Sequence, residues 1–387
     1  MDAIEAMMFY QLPPAGNPVV LSSGTDQALP EFLSAAETAY YASGTAALAA
    51  AVSAALRFKN IDDAEVILPA YGCPDLVSAV IHAGARPILV DLQVERPWLD
   101  LDQCAAAINE NTAAIVGVNL FGIAERWPQL RALAEKNSLV LIEDSAQYFP
   151  GKDSSPEWSG DLVVFSFGRG KPVSLLGGGA VLCRHEVLSG LLNRKETQSV
   201  SALQRLSYVL KSRLYNAMIS PLIYWLPQSL PFLHLGETRY HTLREIGAMD
   251  PGRRALLPAN VKRYQDDTHA LSRCRALSSM LAGFEQVIDL PSVCEMAEDR
   301  RLLRYPVLLK KDVRDAVVVR LQRAGAGISK MYPASMPNID GLEDMFSGQS
   351  YPAAEDFSAR IITLPTHAKL GSGMIAKISN QLKVCFS

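Results

Sequence analysis

Short apolar runs alternate with stretches of helical periodicity from about residue 40 to residue 185, a pattern typical of a parallel α/β sheet. Such strands read as continuous apolar runs because helices cover both faces of the sheet. The expected strands are EVILPA (65–70), RPILVDL (86–92), TAAIVGVNLFG (112–122), SLVLIEDSAQ (138–147) and DLVVFSF (161–167). Helices are expected in TAALAAAVSAAL, DLVSAVIHAG and WPQLRALAEKN. The pattern predicts a doubly wound sheet that binds ligands at the carboxyl ends of its strands.

The pattern changes after about residue 250. One long helix is predicted over PANVKRYQDDTHALSRCRALSSMLAGF (258–284), followed by a strand in RYPVLL and by helices in VRDAVVVRLQRAG and GMIAKISNQLK. The sequence therefore predicts two domains. A large α/β domain covers residues 1–250, with an N-terminal arm and an apolar insertion at about 195–240, and a smaller α+β domain covers residues 251–387.

The apolar insertion contains AMISPLIYWLPQSLPFLHL (217–235), in which three prolines break any helix well short of the roughly 20 residues that a bilayer requires. Burial against a partner subunit is the simpler interpretation. Shallow membrane contact is the alternative, because the preceding QRLSYVLKSRLYNAM is basic and amphipathic.

Composition narrows the classes of function. The chain has 387 residues, 49% of them hydrophobic, and a formal net charge of −3, so it can bury a large core and shows no sign of a nucleic-acid partner. The N-terminus lacks the pattern of a secretory signal, and we expect a cytoplasmic protein. Six widely spaced cysteines without a CxxC pair favour reduced thiols over disulfides or a metal site.

Two polar motifs fall at expected strand ends or helix starts. In ASGTAAL, Ser43, Gly44 and Thr45 lead directly into a helix, where they can hold a phosphate or simply cap the helix. In LIEDSAQ, a buried strand ends in Glu143 and Asp144. These carboxylates can bind a metal, pair with a cation or cap the next helix.

The third motif is VVFSFGRGKPVSLLGGGAVLC, in which Ser166 and Lys171 follow a strand and three glycines let the backbone pass close to something flat or bulky. Pro172 stands where a P-loop requires serine or threonine, and no GxGxxG motif follows the first strand. A phosphate site, then an acid, then a lysine able to form a Schiff base are the groups that pyridoxal phosphate chemistry requires.

These motifs resemble those of the DegT/DnrJ family of pyridoxal-phosphate-dependent sugar aminotransferases, which have fold type I. The resemblance rests on SGTAAL, EVILPAY, AGARPILVDL, NLFG, LIEDSAQ and SFGRGK, and on YP at Tyr332 and LPTH ending at His367. It implies a mainly parallel sheet with helices on both faces and a homodimer. It also implies that Lys171 forms the Schiff base, Asp144 pairs with the pyridine nitrogen and Gln147 lies near the phenolic oxygen. Phosphate ligands are implied at Gly44, Thr45 and Ser166.

The chain departs from the family pattern at three places. Gly72 and Cys73 replace a threonine and a ring-stacking aromatic, so that either Cys73 or Tyr71 is expected to cover the cofactor ring. The run from Leu176 to Gly179 lacks the usual glutamate. The Asn-Arg motif that crosses the dimer is absent from residues 237–254, where Tyr240, His241, Arg253 and Arg254 can substitute.

Three further residues are candidate substrate contacts. Arg169 stands two residues before the lysine, Tyr332 lies in a turn expected to face the cleft, and His367 is a candidate that can equally be structural. The resemblance implies transamination of a keto sugar, most simply a nucleotide-activated one, with glutamate or glutamine as amino donor. A cofactor-binding protein with a regulatory or assembly role is the alternative function.

Overall fold

The structure, a computed structural model, describes residues 10–22, 28–35, 37–152, 154, 157–193, 201–229 and 237–386. Its main feature is a seven-stranded sheet with the strand order β1-β7-β6-β5-β4-β2-β3. The strands are β1 (Thr38–Tyr41), β2 (Glu65–Pro69), β3 (Arg86–Val90), β4 (Thr112–Val118), β5 (Val140–Asp144), β6 (Leu162–Ser166) and β7 (Gly179–Cys183). Strands β2 to β6 pair in parallel, whereas β7 is antiparallel to both β6 and β1. The predicted mainly parallel sheet of fold type I is confirmed.

Helices cover both faces of this sheet. Those of the first half of the chain are α1 (Glu31–Ser34), α2 (Gly44–Lys59), α3 (Asp75–His82), α4 (Leu101–Ala107), α5 (Trp127–Lys136) and α6 (Glu186–Leu191). Val66 and Leu68 of β2 pack in one core cluster with α2 and α3, whereas Ile67 between them packs in another with α5. Successive side chains of a strand point to opposite faces, so the central residues of each strand must be apolar on both faces.

The insertion contains a helix that the sequence identified only as an amphipathic stretch. Helix α7 (Ala202–Met218) begins at a capping box between Ser201 and Gln204, and the short helix α8 (Trp225–Gln228) follows Pro221. In α7, the amide of Asn216 bonds both backbone groups of Val19 at 2.8 Å, which holds the N-terminal arm against the helix. Residues 195–200 and 230–236 of the predicted insertion lie outside the described residues.

A smaller antiparallel sheet follows, with the order β10-β9-β8. Its strands are β8 (Ile288–Asp289), β9 (Arg304–Leu308) and β10 (Ile361–Pro365). The helices of this half are α9 (Pro251–Gln265), α10 (Ala270–Leu281), α11 (Leu290–Val293), α12 (Lys311–Arg323), α13 (Pro352–Arg360) and α14 (Ser372–Phe386). Leu257 and Val261 of α9 belong to the same hydrophobic cluster as Val163 and Phe165 of β6. Helix α9 therefore packs on the large sheet although it lies beyond residue 250.

The single long helix predicted over 258–284 is wrong, because the chain breaks between α9 and α10. At the break, Asp267 accepts hydrogen bonds from the backbone N–H of His269 and from the Arg273 guanidinium. Aspartate disfavours helix interiors because its carboxylate offers the backbone such local alternatives. The polar run QDDTH (265–269) lies at this break, between the apolar positions of α9 and those of α10.

Candidate active site

A cavity of about 260 Å³ opens at the carboxyl ends of β4, β5 and β6, as the topology predicts. It brings together most of the residues that the sequence analysis singled out. The predicted residues on its wall are Ser43, Gly44, Thr45, Cys73, Asp144, Gln147, Ser166, Arg169, Lys171 and Tyr332. Tyr71 and His367 are not on this wall.

The N-terminus of α2 forms one end of the cavity. Ser43 is the N-cap, and its hydroxyl accepts a hydrogen bond from the backbone N–H of Ala46 at 3.0 Å. A Cβ atom on Gly44 would lie 2.5 Å from the Ser166 Oγ, so only glycine lets this hydroxyl approach the helix terminus. Capping and anion binding are therefore compatible here, because an N-terminus offers several free N–H groups and Ser43 occupies one.

The Thr45 hydroxyl donates a hydrogen bond to Asp75 Oδ2 at 2.8 Å. Asp75 is the first residue of α3 and lies on the cavity wall, although the sequence analysis did not single it out. The available signal was an acid in the first turn of a helix, where it is also favoured for local reasons. Asp75 therefore fixes the rotamer of Thr45 beside the helix terminus.

The neighbouring carboxylates at the end of β5 have separate environments, because they point to opposite faces of the strand. Glu143 accepts hydrogen bonds from Asn119, Ser145 and the backbone N–H groups of Ser159 and Gly160 at 2.9–3.2 Å. It does not line the cavity. Glu143 therefore holds the loop before β6 in place, whereas Asp144 faces the cavity.

Asp144 is buried, and burial raises the pKa of its carboxyl. The backbone N–H of Ala146, which donates to Oδ1 at 2.8 Å, and the positive charge of Lys171 act in the opposite direction. A cation placed against this carboxylate would therefore relieve an unfavourable desolvation and lower the pKa. The site therefore favours a cationic group beside Asp144.

Lys171 lies in the turn between β6 and β7, and the glycines explain how the turn is placed. Gly178 has φ +95°, and a Cβ atom on Gly179 would lie 2.5 Å from the Ser43 carbonyl oxygen. The chain segment that these glycines approach is thus the protein's own N-cap of α2. The close approach brings Lys171 and the N-terminus of α2 to the same cavity.

Gln147 and Tyr332 connect the large sheet to the C-terminal half. Gln147 Nε2 donates to Tyr332 Oη at 2.9 Å, and its Oε1 accepts from the Phe121 N–H at 2.8 Å. Tyr332 is buried, and burial raises its pKa far above the ordinary tyrosine value, so the phenol stays protonated. It can still donate one hydrogen bond toward the cavity.

The structure corrects the ring-covering role offered to Tyr71. Tyr71 is fully buried behind Tyr332, packs edge-on against its ring and donates its hydroxyl hydrogen to the Tyr332 carbonyl at 3.0 Å. Cys73 lies on the cavity wall, where burial raises the pKa of the thiol to about 12. Cys73 is therefore a neutral, polarisable surface in the family's aromatic position.

The structure also places His367 away from the cavity. Its Nε2 donates to the Pro13 carbonyl at 2.9 Å, and its Nδ1 accepts from the Lys369 N–H at 3.3 Å. Burial lowers the pKa of this imidazole to about 4. With both nitrogens bonded to backbone, His367 anchors the N-terminal arm and is not available as a substrate contact.

Arg169 lies on the wall of this cavity and also on that of a neighbouring cavity of about 630 Å³. The larger cavity is bounded by the N-terminal arm at Pro13, by Tyr215 and Tyr224 of the insertion, and by Lys330. Arg169 is thus placed where a large substrate reaching from one cavity into the other would pass.

Three non-glycine residues next to the site have left-handed backbone. Phe121 (φ +60°) bonds Gln147, Leu176 (φ +56°) precedes the glycine turn, and Met331 (φ +45°) precedes Tyr332. Bulky residues in this region are sparsely populated and cluster at functional sites. Sequence patterns carry no sign of such backbone geometry.

The side chains of this cavity fit pyridoxal phosphate, judged by their chemistry. The α2 terminus and Ser166 suit a phosphate, Asp144 suits a protonated ring nitrogen, and Lys171 suits an aldehyde. Within the described residues, no cluster of three or more metal-ligating side chains accompanies them.

A family model matches most of the chain. The model of the DegT/DnrJ/EryC1/StrS aminotransferase family matches residues 24–208 and 267–383, which is more than half of the chain. The dTDP-4-amino-4,6-dideoxy-D-glucose transaminase of Shigella dysenteriae is 30% identical, covering 92% of this chain and 88% of its own. The dTDP-3-amino-3,4,6-trideoxy-alpha-D-glucose transaminase of Micromonospora megalomicea subsp. nigra is 27% identical over 80% and 75% of the two chains.

A solved structure of another protein has the same fold. Helicobacter pylori PseC, an aminotransferase involved in the biosynthesis of pseudoaminic acid, superposes with a TM-score of 0.71 at 16% identity and covers 97% of this chain and 99% of its own. Both relatives above are named as transaminases, so a regulatory or assembly protein without turnover is the less favoured function.

Proposed function

The chain belongs to the DegT/DnrJ/EryC1/StrS aminotransferase family, and from that premise we propose that it transfers an amino group to a nucleotide-activated keto sugar. It is a pyridoxal-phosphate-dependent transaminase. Glutamate or glutamine is the proposed donor. The proposed setting is amino-sugar or surface-polysaccharide biosynthesis in the cytoplasm.

One observation supports this function above the others. Lys171, Asp144 and the N-terminus of α2 with Ser166 lie on the wall of a single cavity of about 260 Å³, although Gly44 and Lys171 are 127 residues apart in sequence. A metal-assisted or purely acid–base site has no need of this combination.

When bound, pyridoxal phosphate supplies a conjugated ring that withdraws electrons from the carbon bearing the amino group. Ser166 and the backbone N–H groups at the start of α2 would bind the phosphate. Asp144 would hold a proton on the ring nitrogen, where its carboxylate accepts a charge-assisted hydrogen bond. Gln147 and Tyr332, bonded to each other, would orient the opposite edge of the ring.

Lys171 has two proposed tasks, which are to bind the aldehyde carbon and to move a proton. Once the donor's amino group has taken its place, Nζ is free to remove a proton from the donor's α-carbon. In the second half of the reaction, the same nitrogen returns a proton to the carbon of the acceptor. Arg169 would bind an anionic group of donor or acceptor as both enter from the larger cavity.

We propose a homodimer for this chain, since two-fold assemblies are the commonest and the resemblance implies one. Arg253 is a candidate for completing the phosphate site. Its guanidinium lies within 3.2 Å of where a Gly177 Cβ atom would be, and its buried Nε has no hydrogen-bond partner among the described residues. Light scattering of the purified protein measures the assembly directly.

The test of the proposed function is a near-visible absorbance spectrum with added pyridoxal phosphate, before and after glutamate, followed by borohydride reduction and peptide mapping. The expected result is an absorbance band that glutamate converts to that of the aminated cofactor, with the reduced adduct on Lys171. No band and no adduct would overturn the proposal. A panel of nucleotide-linked keto sugars then identifies the acceptor by reversal of the spectral change.

A further inference from the structure

The outward face of α7 carries a continuous stripe of exposed leucines. Leu203, Leu206, Leu210 and Leu214 are between 58% and 75% exposed, and they are spaced three, four and four residues apart. At about 100° per residue, this spacing places all four within roughly 80° of the helix circumference. Soluble proteins rarely expose an aligned row of four leucines on one helix.

The opposite face of α7 is the one that packs on the protein. Ser212 is fully buried, and Asn216 bonds the backbone of Val19 in the N-terminal arm. Helix α7 therefore does not need its leucines for its own attachment. The apolar surface continues beyond the helix, where Leu222 and Leu226 are 62% and 46% exposed.

The charges of this segment have one sign. Between Glu196 and Glu237 the chain contains neither aspartate nor glutamate, whereas α7 carries Arg205, Lys211 and Arg213. By helical geometry, Lys211 and Arg213 flank the leucine stripe on its two sides, about 60° and 20° from its edges. Both side chains are exposed.

A leucine stripe flanked by cations, on a helix without carboxylates, matches an anionic lipid surface. Such helices lie in the plane of the membrane interface with the apolar side chains inserted and the basic side chains at the headgroups. A second copy of the chain is a poorer occupant, because a two-fold contact through the stripe would bring Lys211 and Arg213 of each α7 together, and neither helix carries a carboxylate.

We propose that the outward face of α7 and the exposed leucines before and within α8 form a peripheral docking surface for anionic phospholipid. In the described part of the chain, no helix is long and apolar enough to cross a membrane. The contact is therefore an interfacial one. It does not depend on the transamination reaction and stands or falls separately from it.

The docking surface adjoins the larger cavity. Tyr215 and Met218 of α7 and Tyr224 before α8 line that cavity, whereas Leu214 and Leu222 of the same segment point to solvent. One segment is thus both a wall of the route to Lys171 and the proposed lipid contact. Docking would hold the mouth of the cavity near the membrane surface.

The experiment is flotation of the purified full-length protein with two kinds of vesicle. One is made of phosphatidylcholine alone, and the other contains phosphatidylcholine and phosphatidylglycerol in equal parts. We expect binding to the anionic vesicles that is at least about tenfold tighter, and weaker at high salt because surface charges are screened. No binding to either vesicle would overturn the proposal.

Two variants separate the contribution of the leucines to vesicle binding from that of the basic residues. The triple substitution L206S/L210S/L214S should weaken vesicle binding at least about tenfold, since each leucine loses its favourable transfer from water. The charge reversal K211E/R213E keeps the leucines and should abolish the preference for anionic lipid. The matched control is V187S/V319S/V384S, which changes three exposed residues on other helices and should bind like the parent.

Light scattering of the same samples tests the alternative that a second copy of the chain covers the leucines. The parent and L206S/L210S/L214S should have the same molar mass. If the triple variant dissociates while the parent ignores vesicles, a second copy covers the leucines and the lipid proposal is wrong. Equal loss of vesicle binding in the control triple would also contradict it.

Discussion

The cavity around Lys171 and the outward face of α7 are opposites in burial and polarity. In the cavity, polar groups such as Asp144 and Gln147 are buried and hydrogen-bonded to backbone and neighbouring side chains. On α7, Leu206 and Leu210 are about two-thirds exposed. In each region, the placement of these side chains does not contribute to the stability of the rest of the fold.

The difference between these two regions separates stability from function in this chain. Burying a carboxylate costs free energy unless it is paired, and exposing leucines forgoes the transfer free energy that drives folding. Neither arrangement is explained by the stability of the isolated chain. Both are explained by a ligand, which is the cofactor in one region and, by our proposal, a lipid surface in the other.

The largest expected effect is that of Lys171→Ala in the cavity. Removing the amine that binds the cofactor and moves the proton should lower kcat by at least about a thousandfold. Single-turnover conversion of the aminated cofactor measures this loss. The matched control is Lys262→Ala, since Lys262 is an exposed lysine paired only with Asp266 among the described residues.

Substitutions of the two adjacent carboxylates, Asp144 and Glu143, should separate an effect on activity from an effect on stability. Asp144→Asn should lower kcat about a hundredfold or more, because an amide cannot pair with a protonated ring nitrogen. Its thermal stability should be equal or higher, since burial raises the pKa of Asp144 and disfavours the charged form.

Glu143→Gln should behave in the reverse way. The new amide N–H₂ would replace either Oε1, and face the N–H donor of Asn119, or Oε2, and face the backbone N–H groups of Ser159 and Gly160. In either orientation the unfolding free energy should fall by about 1–3 kcal/mol with little change in kcat. Thermal unfolding and steady-state kinetics of both variants measure the contrast. Equal kcat losses in the two variants would contradict the separation of their roles.

His367, which bonds the N-terminal arm outside both regions, gives a pH-dependent prediction. Its pKa is about 4 in the fold, against an ordinary value of about 6.5, so the folded state binds fewer protons than the unfolded state in this window. The contribution is fully present above pH 6.5 and is lost as the pH falls toward 4, by at most about 3 kcal/mol. In His367→Gln, the free energy of unfolding, measured with denaturant, should depend less on pH between these values, and KM should be unchanged. His269→Gln, at an exposed position, is the control.

The smallest effect is expected on α7. Leu206→Ser should change the unfolding free energy in solution by no more than about 0.5 kcal/mol, because its side chain is already in water. The buried Leu141→Ala should cost about 2–5 kcal/mol in the same denaturant measurement. A large loss in Leu206→Ser would mean that the stripe packs within the chain or against a second copy.

Much of the fold was readable from sequence because its signals are local. The strands β2 to β6 are uninterrupted apolar runs, and Ser43 before an alanine-rich run marks the start of α2. The break between α9 and α10 was missed because helical periodicity on both sides of the polar run QDDTH (265–269) is typical of one continuous helix as well as of two. The packing of α9 on the large sheet was missed because it depends on contacts with β6, which lies about a hundred residues earlier in the chain.

By itself, the sequence determined the parallel sheet, the family and the residue types of the site, since apolar periodicity and short motifs are properties of neighbouring residues. Only the tertiary structure decided which of two adjacent carboxylates faces the cavity, that Tyr71 lies behind Tyr332 and that His367 holds the arm. Only the tertiary structure also decided which face of α7 remains in water. The reason is physical, because burial, pKa and hydrogen-bond partners are set by distant segments that meet only when the chain has folded.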